Sequence, residues 1–170
     1  SGTFSGTQNV SVGADPRSIA LGDVDGDSDL DFVMANGGSN TVSIRMNDGS
    51  GTFSGTQNIS AGTIPNSVVL GDIDGDGDLD LAIANSTSNN ISIRVNDGTG
   101  TFSGTQTVDI IAQLTGLAIG DLDGDGDLDL VAGGSTTSTV YVIKNDGNGI
   151  FSVSQNVTVG DQPIAVALGD

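Results

Sequence analysis

At 170 residues the chain is long enough to bury one core of its own, and its acidity sets the first limits on what it binds. All 22 acidic residues are aspartate, opposed only by Arg17, Arg45, Arg94 and Lys144, and a net charge of −18 excludes recognition of nucleic acid through its phosphates. No His, Cys or Glu is present, which removes disulfides and the usual nucleophiles and near-neutral acid–base groups; no apolar run approaches the ~20 residues of a bilayer-spanning helix, so membrane insertion is not expected.

Taken in order, the predicted elements form a unit that returns every 49 residues without insertion. Residues 3–12, TFSGTQNVSV, read as the last strand of one unit. Pro16 then leads into SIALG, residues 18–22, the predicted first strand of the next; a proline belongs at such an entry because it has no N–H for a central ladder. The acidic stretch DVDGDSDLD runs from Asp23 to Asp31. DFVMA, residues 31–35, is the predicted second strand and TVSIRM, residues 41–46, the third, where Val42, Ile44 and Met46 alternate with Thr41, Ser43 and Arg45. NDGSG from Asn47 supplies residues that tolerate positive φ in a tight turn, and the fourth strand follows it. Acidic loops recur at 72–80 and 121–129, a fourth begins at Asp170, and Phe4, Phe53, Phe102 and Phe151 share one position, expected in the core.

Four antiparallel strands in ~49 residues is the size of a propeller blade. The expected fold is therefore all-β: about three complete β-propeller blades of four antiparallel strands with partial strands at both ends. Residues 1–170 are read as one tandem-repeat segment. Three blades do not close a ring, which takes ~4–8, so further blades are expected from the same longer chain or from neighbouring subunits. A β-sandwich or a β-solenoid also fits the strand count, whereas the nine-residue glycine–aspartate period of a calcium-binding β-roll is absent.

Five carboxylates on alternate residues, three times over, repel one another unless a cation is expected between them. Ca²⁺ is a hard ion that takes six to eight oxygens at ~2.3–2.6 Å, and alternate residues of a tight loop can turn their carboxylates inward around it. Mg²⁺ prefers a smaller, more hydrated octahedral shell. An EF-hand shares the DxDxDG opening but needs a bidentate Glu at position 12, where this chain has Met34, Ile83 and Ala132. The ninth position is Asp31, Asp80 or Asp129, so a nine-residue loop closed by aspartate fits better.

The pattern LGDxDGDGDLDLxxAN followed by NDGxGTF resembles the FG-GAP/VCBS repeats, calcium-binding β-propeller repeats also found in the heads of integrin α subunits, across essentially all 170 residues. The resemblance implies that side chains at loop positions 1, 3, 5 and 9 and the carbonyl at position 7 hold the ion. Site one is then Asp23, Asp25, Asp27 and Asp31 with the carbonyl of Asp29. Site two is Asp72, Asp74, Asp76 and Asp80 with that of Asp78, and site three Asp121, Asp123, Asp125 and Asp129 with that of Asp127. Three Ca²⁺ sites are expected, with a fourth cut short at Asp170.

No intrinsic catalysis is expected. One functional expectation is a module that presents loops to a protein or glycan ligand; the other is a structural element of an extracellular layer or filament, in which calcium rigidifies the blades. A non-catalytic part of a secreted hydrolase or lyase is a third. Near-identical tandem copies resemble secreted or cell-surface proteins of bacteria. The sequons at Asn9 and Asn58 are expected by chance in so Asn-, Ser- and Thr-rich a chain. Repeat three departs from the pattern: Tyr141 and Ile143 replace serine and arginine on one strand face, and Ile111 replaces a glycine. Two readings follow, internal packing with Ile111 as a compensating core change, or an apolar contact with another chain.

Overall fold

A computed structural model describes residues 8–169, and among these there are fourteen strands and no helix. They form three antiparallel meanders, each with its strands in chain order. Blade one contains β1 (Pro16–Gly22), β2 (Asp31–Asn36), β3 (Thr41–Asn47), β4 (Phe53–Ser54) and β5 (Asn58–Ser60). Blade two repeats this with β6 (Pro65–Gly71), β7 (Asp80–Asn85), β8 (Asn90–Asn96), β9 (Phe102–Ser103) and β10 (Thr107–Asp109). Blade three has β11 (Leu114–Gly120), β12 (Asp129–Gly134), β13 (Thr139–Asn145) and β14 (Phe151–Thr158). Pro16 and Pro65 stand at strand entry, while Pro163 precedes no strand among the described residues, and the ladder is irregular between Pro16 and Ser18 and between Pro65 and Ser67.

The fourth strand differs from the expectation in blades one and two, where it breaks into two short pieces that both pair with the third strand. The break falls at Gly55 and Gly104, whose φ values of 92° and 90° leave the extended region. Repeat three has Val153 there. A β-branched residue does not adopt that conformation, so β14 runs unbroken and absorbs the extra residue as an irregularity opposite Val142 and Ile143.

Blades stack face to face with their first strands, β1, β6 and β11, side by side. Val33, Ala35, Val42 and Ile44 of blade one meet Val68, Leu81, Ile83 and Phe102 of blade two. Ala82, Ala84, Ile91 and Ile93 of blade two meet Leu117, Leu130, Ala132, Tyr141, Ile143 and Phe151 of blade three. Tyr141 and Ile143 therefore lie between blades, which is the internal-packing reading. Ile111 is not a core change, being 91% exposed. Phe102 and Phe151 are buried; Phe53, on the outer face of blade one, is half-buried against Phe32, and Phe4 lies outside the described residues.

Among the described residues the expected end strands do not form. Residues 8–15 and 159–169 carry no ladder, because a fourth strand pairs with a third and a first strand with a second of the same blade, and neither partner is among the described residues. Residues 164–168 instead lie along β11, with Ala165 against Gly116 and Leu168 against Gly120, the place that Ile119 takes against Gly71. The loop begun at Asp170 also lies outside the described residues.

Candidate metal centres

Each acidic loop starts where the first strand ends and closes on the first residue of the second, since Gly22 pairs with Asp31, Gly71 with Asp80 and Gly120 with Asp129. The ninth aspartate thus belongs to the sheet and is wholly buried in every blade. Its carboxylate ties two backbone segments together. Asp31 accepts the N–H of Val24 at 3.0 Å and of Asn47 at 2.7 Å; Asp80 accepts those of Ile73 at 2.9 Å and Asn96 at 2.8 Å; Asp129 accepts those of Leu122 at 3.1 Å and Asn145 at 2.9 Å.

The first aspartate folds the loop. Asp23 accepts the N–H groups of Gly26, Asp27 and Ser28; Asp72 those of Gly75 and Gly77; Asp121 those of Gly124 and Gly126. That curl needs positive φ at the fourth and sixth positions. Glycine supplies it everywhere except at Ser28, which is held at 76° where its counterparts are Gly77 and Gly126. The fifth aspartate accepts the N–H of the seventh at 2.9–3.0 Å.

Carboxylate oxygens of Asp23, Asp25 and Asp27 lie within 4.8 Å of one another, as do those of Asp72, Asp74 and Asp80 and those of Asp121, Asp123 and Asp129. Each expected ligand set is thus assembled in part: Asp31, Asp76 and Asp125 stand outside the converging trio of their own loop. Asp29, Asp78 and Asp127 also stand outside, and their carboxylates fold over Gly49, Gly98 and Gly147 of the turn that follows the third strand. The resemblance asks only for their carbonyls.

One oxygen of Asp25 and one of Asp74 are buried with no hydrogen-bond partner, and no Lys or Arg pairs with loop one or two among the described residues. Burial, then neighbouring carboxylates, raises the pKa of Asp25 and of Asp74. Burial pushes Asp80 up to about 6 in spite of the two N–H groups it accepts, and raises Asp127 as well. Asp121 is held low by the N–H of Gly124. Buried anionic oxygens without partners are costly, and a hard cation is the group that this donor set suits.

Two features escaped the sequence reading. Asn96 donates from Nδ2 to the carbonyl of Val24 at 2.8 Å, and Asn145 to that of Ile73 at 2.8 Å, so the turns of blades two and three each grip the acidic loop of the preceding blade. With the N–H bonds to Asp80 and Asp129, this gives an unbroken hydrogen-bonded path through all three loops. The signal was the recurrence of Asn47, Asn96 and Asn145 at one repeat position. The second is Lys144, whose ammonium lies 2.7 Å from Asp129 and 2.9 Å from Asp123. Its equivalents are Met46 and Val95, and it is the only lysine in the chain.

Blades of four antiparallel strands, stacked with first strands side by side and an aspartate loop joining strands one and two, define a β-propeller of repeated loop-bearing units. The chain belongs to the FG-GAP-like repeat family, whose repeat matches residues 23–83, 72–132 and 121–170. No curated protein matches it. Among solved structures it is similar to BBS1N in complex with ARL6DN, at 14% identity and a TM-score of 0.65, covering 92% of this chain and 48% of that one. An Agrocybe aegerita lectin that recognises non-reducing terminal N-acetylglucosamine is similar at 26% identity and a TM-score of 0.56, covering 79% and 37%. The V. cholerae biofilm matrix protein Bap1 is similar at 19% identity and a TM-score of 0.51, covering 84% and 20%. The chain thus spans about half the length of the first and less of the other two.

Proposed function

We propose that the chain is a calcium-binding, non-catalytic β-propeller module of a secreted or cell-surface protein, in which the ions lock the loops and so the blades. The observation that carries this reading is the set of buried, unpartnered oxygens of Asp25 and Asp74 inside loops whose carboxylates already converge. Asp23, Asp25, Asp27 and Asp31 with the carbonyl of Asp29 would hold the first ion. Asp72, Asp74, Asp76, Asp80 and the carbonyl of Asp78 would hold the second, and Asp121, Asp123, Asp125, Asp129 and the carbonyl of Asp127 the third. A bound Ca²⁺ supplies charge compensation and a fixed coordination shell; the protein supplies the sheet-anchored ninth carboxylate and the glycine-curled loop. Presentation of loops to a protein or glycan is the favoured role because relatives of this fold include a lectin that recognises N-acetylglucosamine. A structural role in an extracellular layer is the second reading, supported by the similarity to a biofilm matrix protein.

Calcium titration of metal-stripped protein by calorimetry tests the proposal. Asp80→Ala is expected to abolish binding at loop two, because it removes the closing carboxylate, whereas Asp78→Ala retains it. Absence of calcium binding in the unmodified chain, or equal losses in the two variants, would contradict the assignment.

A further inference from the structure

We propose that the third loop carries its own cation. The ammonium of Lys144 occupies the carboxylates that would close a metal shell there, so loop three binds divalent ions much more weakly than loops one and two and holds its shape without them. The inference rests on the calcium reading above and concerns how the three sites differ.

Lys144 reaches from β13 and donates to Oδ2 of both Asp123 and Asp129. These are the third and ninth loop positions, two of the three residues whose oxygens converge. Asp129 is wholly buried, and the ammonium is the group that meets its charge. Loops one and two have no equivalent: the same strand position is Met46 in blade one, with its methyl against Gly100, and Val95 in blade two. There the third aspartates, Asp25 and Asp74, keep a buried oxygen unpartnered. Two blades thus present oxygens that lack a positive partner, and the third has built one into its own strand.

The geometry does not admit both cations at full strength. A divalent ion drawing on Asp123, Asp129 and Asp121 would stand within a few ångströms of the ammonium, where like charges repel strongly in partly buried surroundings. To bind, the ion must displace Lys144 from both carboxylates. The expected consequence is an affinity at loop three lower by about tenfold or more than at the other two loops.

Calorimetric titration of the metal-stripped chain with Ca²⁺, with amide NMR of Gly75, Gly77, Gly124 and Gly126 to locate each event, tests this. Two tight sites are expected, with Gly75 and Gly77 shifting before Gly124 and Gly126. Lys144→Met, which installs the residue of blade one, is expected to bring loop three into the tight class. Val95→Lys is the converse variant and is expected to remove loop two from it. Three indistinguishable sites in the unmodified chain would overturn the proposal while leaving the calcium reading intact, and so would a Lys144→Met protein that still shows two tight sites. No binding at any loop would overturn both.

Discussion

Blades two and three share one topology and one loop register, yet they are held by different chemistry. In blade two, Asn85 donates from Nδ2 to the hydroxyl of Ser92 at 2.9 Å, its side-chain Oδ1 accepts the N–H of Gly62 at 3.0 Å, and Arg94 reaches back to the carbonyl of Ser60. In blade three the corresponding residues are Gly134, Tyr141, Ile111 and Ile143, and the polar cluster has become an apolar one. The changes come as a set because they touch. A Cβ on Gly134 would stand 2.7 Å from the ring of Tyr141, so the large ring requires the glycine. A Cβ on Gly62 would meet Asn85 at 2.6 Å; with that asparagine gone, Ile111 fits and points to solvent. Partial burial of Arg94 removes water from its guanidinium and lowers its pKa, a desolvation cost that Ile143 avoids. Repetition specifies the blade, and these departures in blade three fit one another in space.

Undoing one member of a pair should have the largest effect. Tyr141→Ser is expected to cost about 3 kcal/mol in urea unfolding, because it empties a buried site between blades. Gly134→Asn is expected to cost a comparable ~1–3 kcal/mol through overpacking against the ring. The double variant rebuilds the Asn–Ser pair of blade two. Its loss should fall short of the sum by ~1 kcal/mol or more, read as the interaction energy of a double-mutant cycle. Simple additivity would mean that the two positions are not coupled.

The acidic loops allow a second contrast through pH. Asp80 has no ammonium beside it, and burial lifts its pKa to about 6, above the unfolded value of about 3.9. The native state therefore takes up the proton first, and the ionised, buried carboxylate lowers stability at neutral pH. In chelator, stability should rise as pH falls from 7 toward 5, with Asp25, Asp74 and Asp127 shifted in the same direction. The lowered groups Asp48, Asp97, Asp121 and Asp123 act in the opposite sense, but their contribution is lost only below about pH 4. With calcium present the trend should reverse, because protons compete for the ligands. Urea midpoints at pH 5 and 7 that move the same way with and without calcium would refute this.

The smallest effect compares loop one with the other two. Ser28 adopts a positive φ that glycine provides at positions 77 and 126, so Ser28→Gly is expected to stabilise by roughly 1 kcal/mol. A loss of stability on thermal unfolding would show that the serine side chain contributes more than its backbone strain costs.

Much of this was legible in the sequence because a repeat is evidence at every copy. The three full blades, the strand order, the strand entries at Pro16 and Pro65 and the three loops follow from hydrophobic alternation and the 49-residue period. The broken fourth strand was not read, although Gly55 and Gly104 against Val153 carry it. A glycine inside an alternating run can mean a break or only a weak strand, and backbone geometry decides which. The role of Lys144 was also missed, because position 46 of the repeat reads as a strand residue and its neighbour across the loop is set by tertiary packing. The grip of Asn96 and Asn145 on the preceding loop joins residues 72 apart, which no local pattern exposes.

In the proposed calcium reading that grip would link ion binding to the stacking of blades, since loops one and two are each fixed on one side by their own sheet and on the other by the next turn. Thermal unfolding of the chain in calcium and in excess chelator tests the link most directly. Ions that bind the native state alone raise its stability by mass action, by about 2.7 kcal/mol per site at a hundredfold excess over the dissociation constant. A single cooperative transition, shifted upward by several degrees in calcium, is the result expected here. Superimposable melting curves would contradict the claim that calcium holds these blades together.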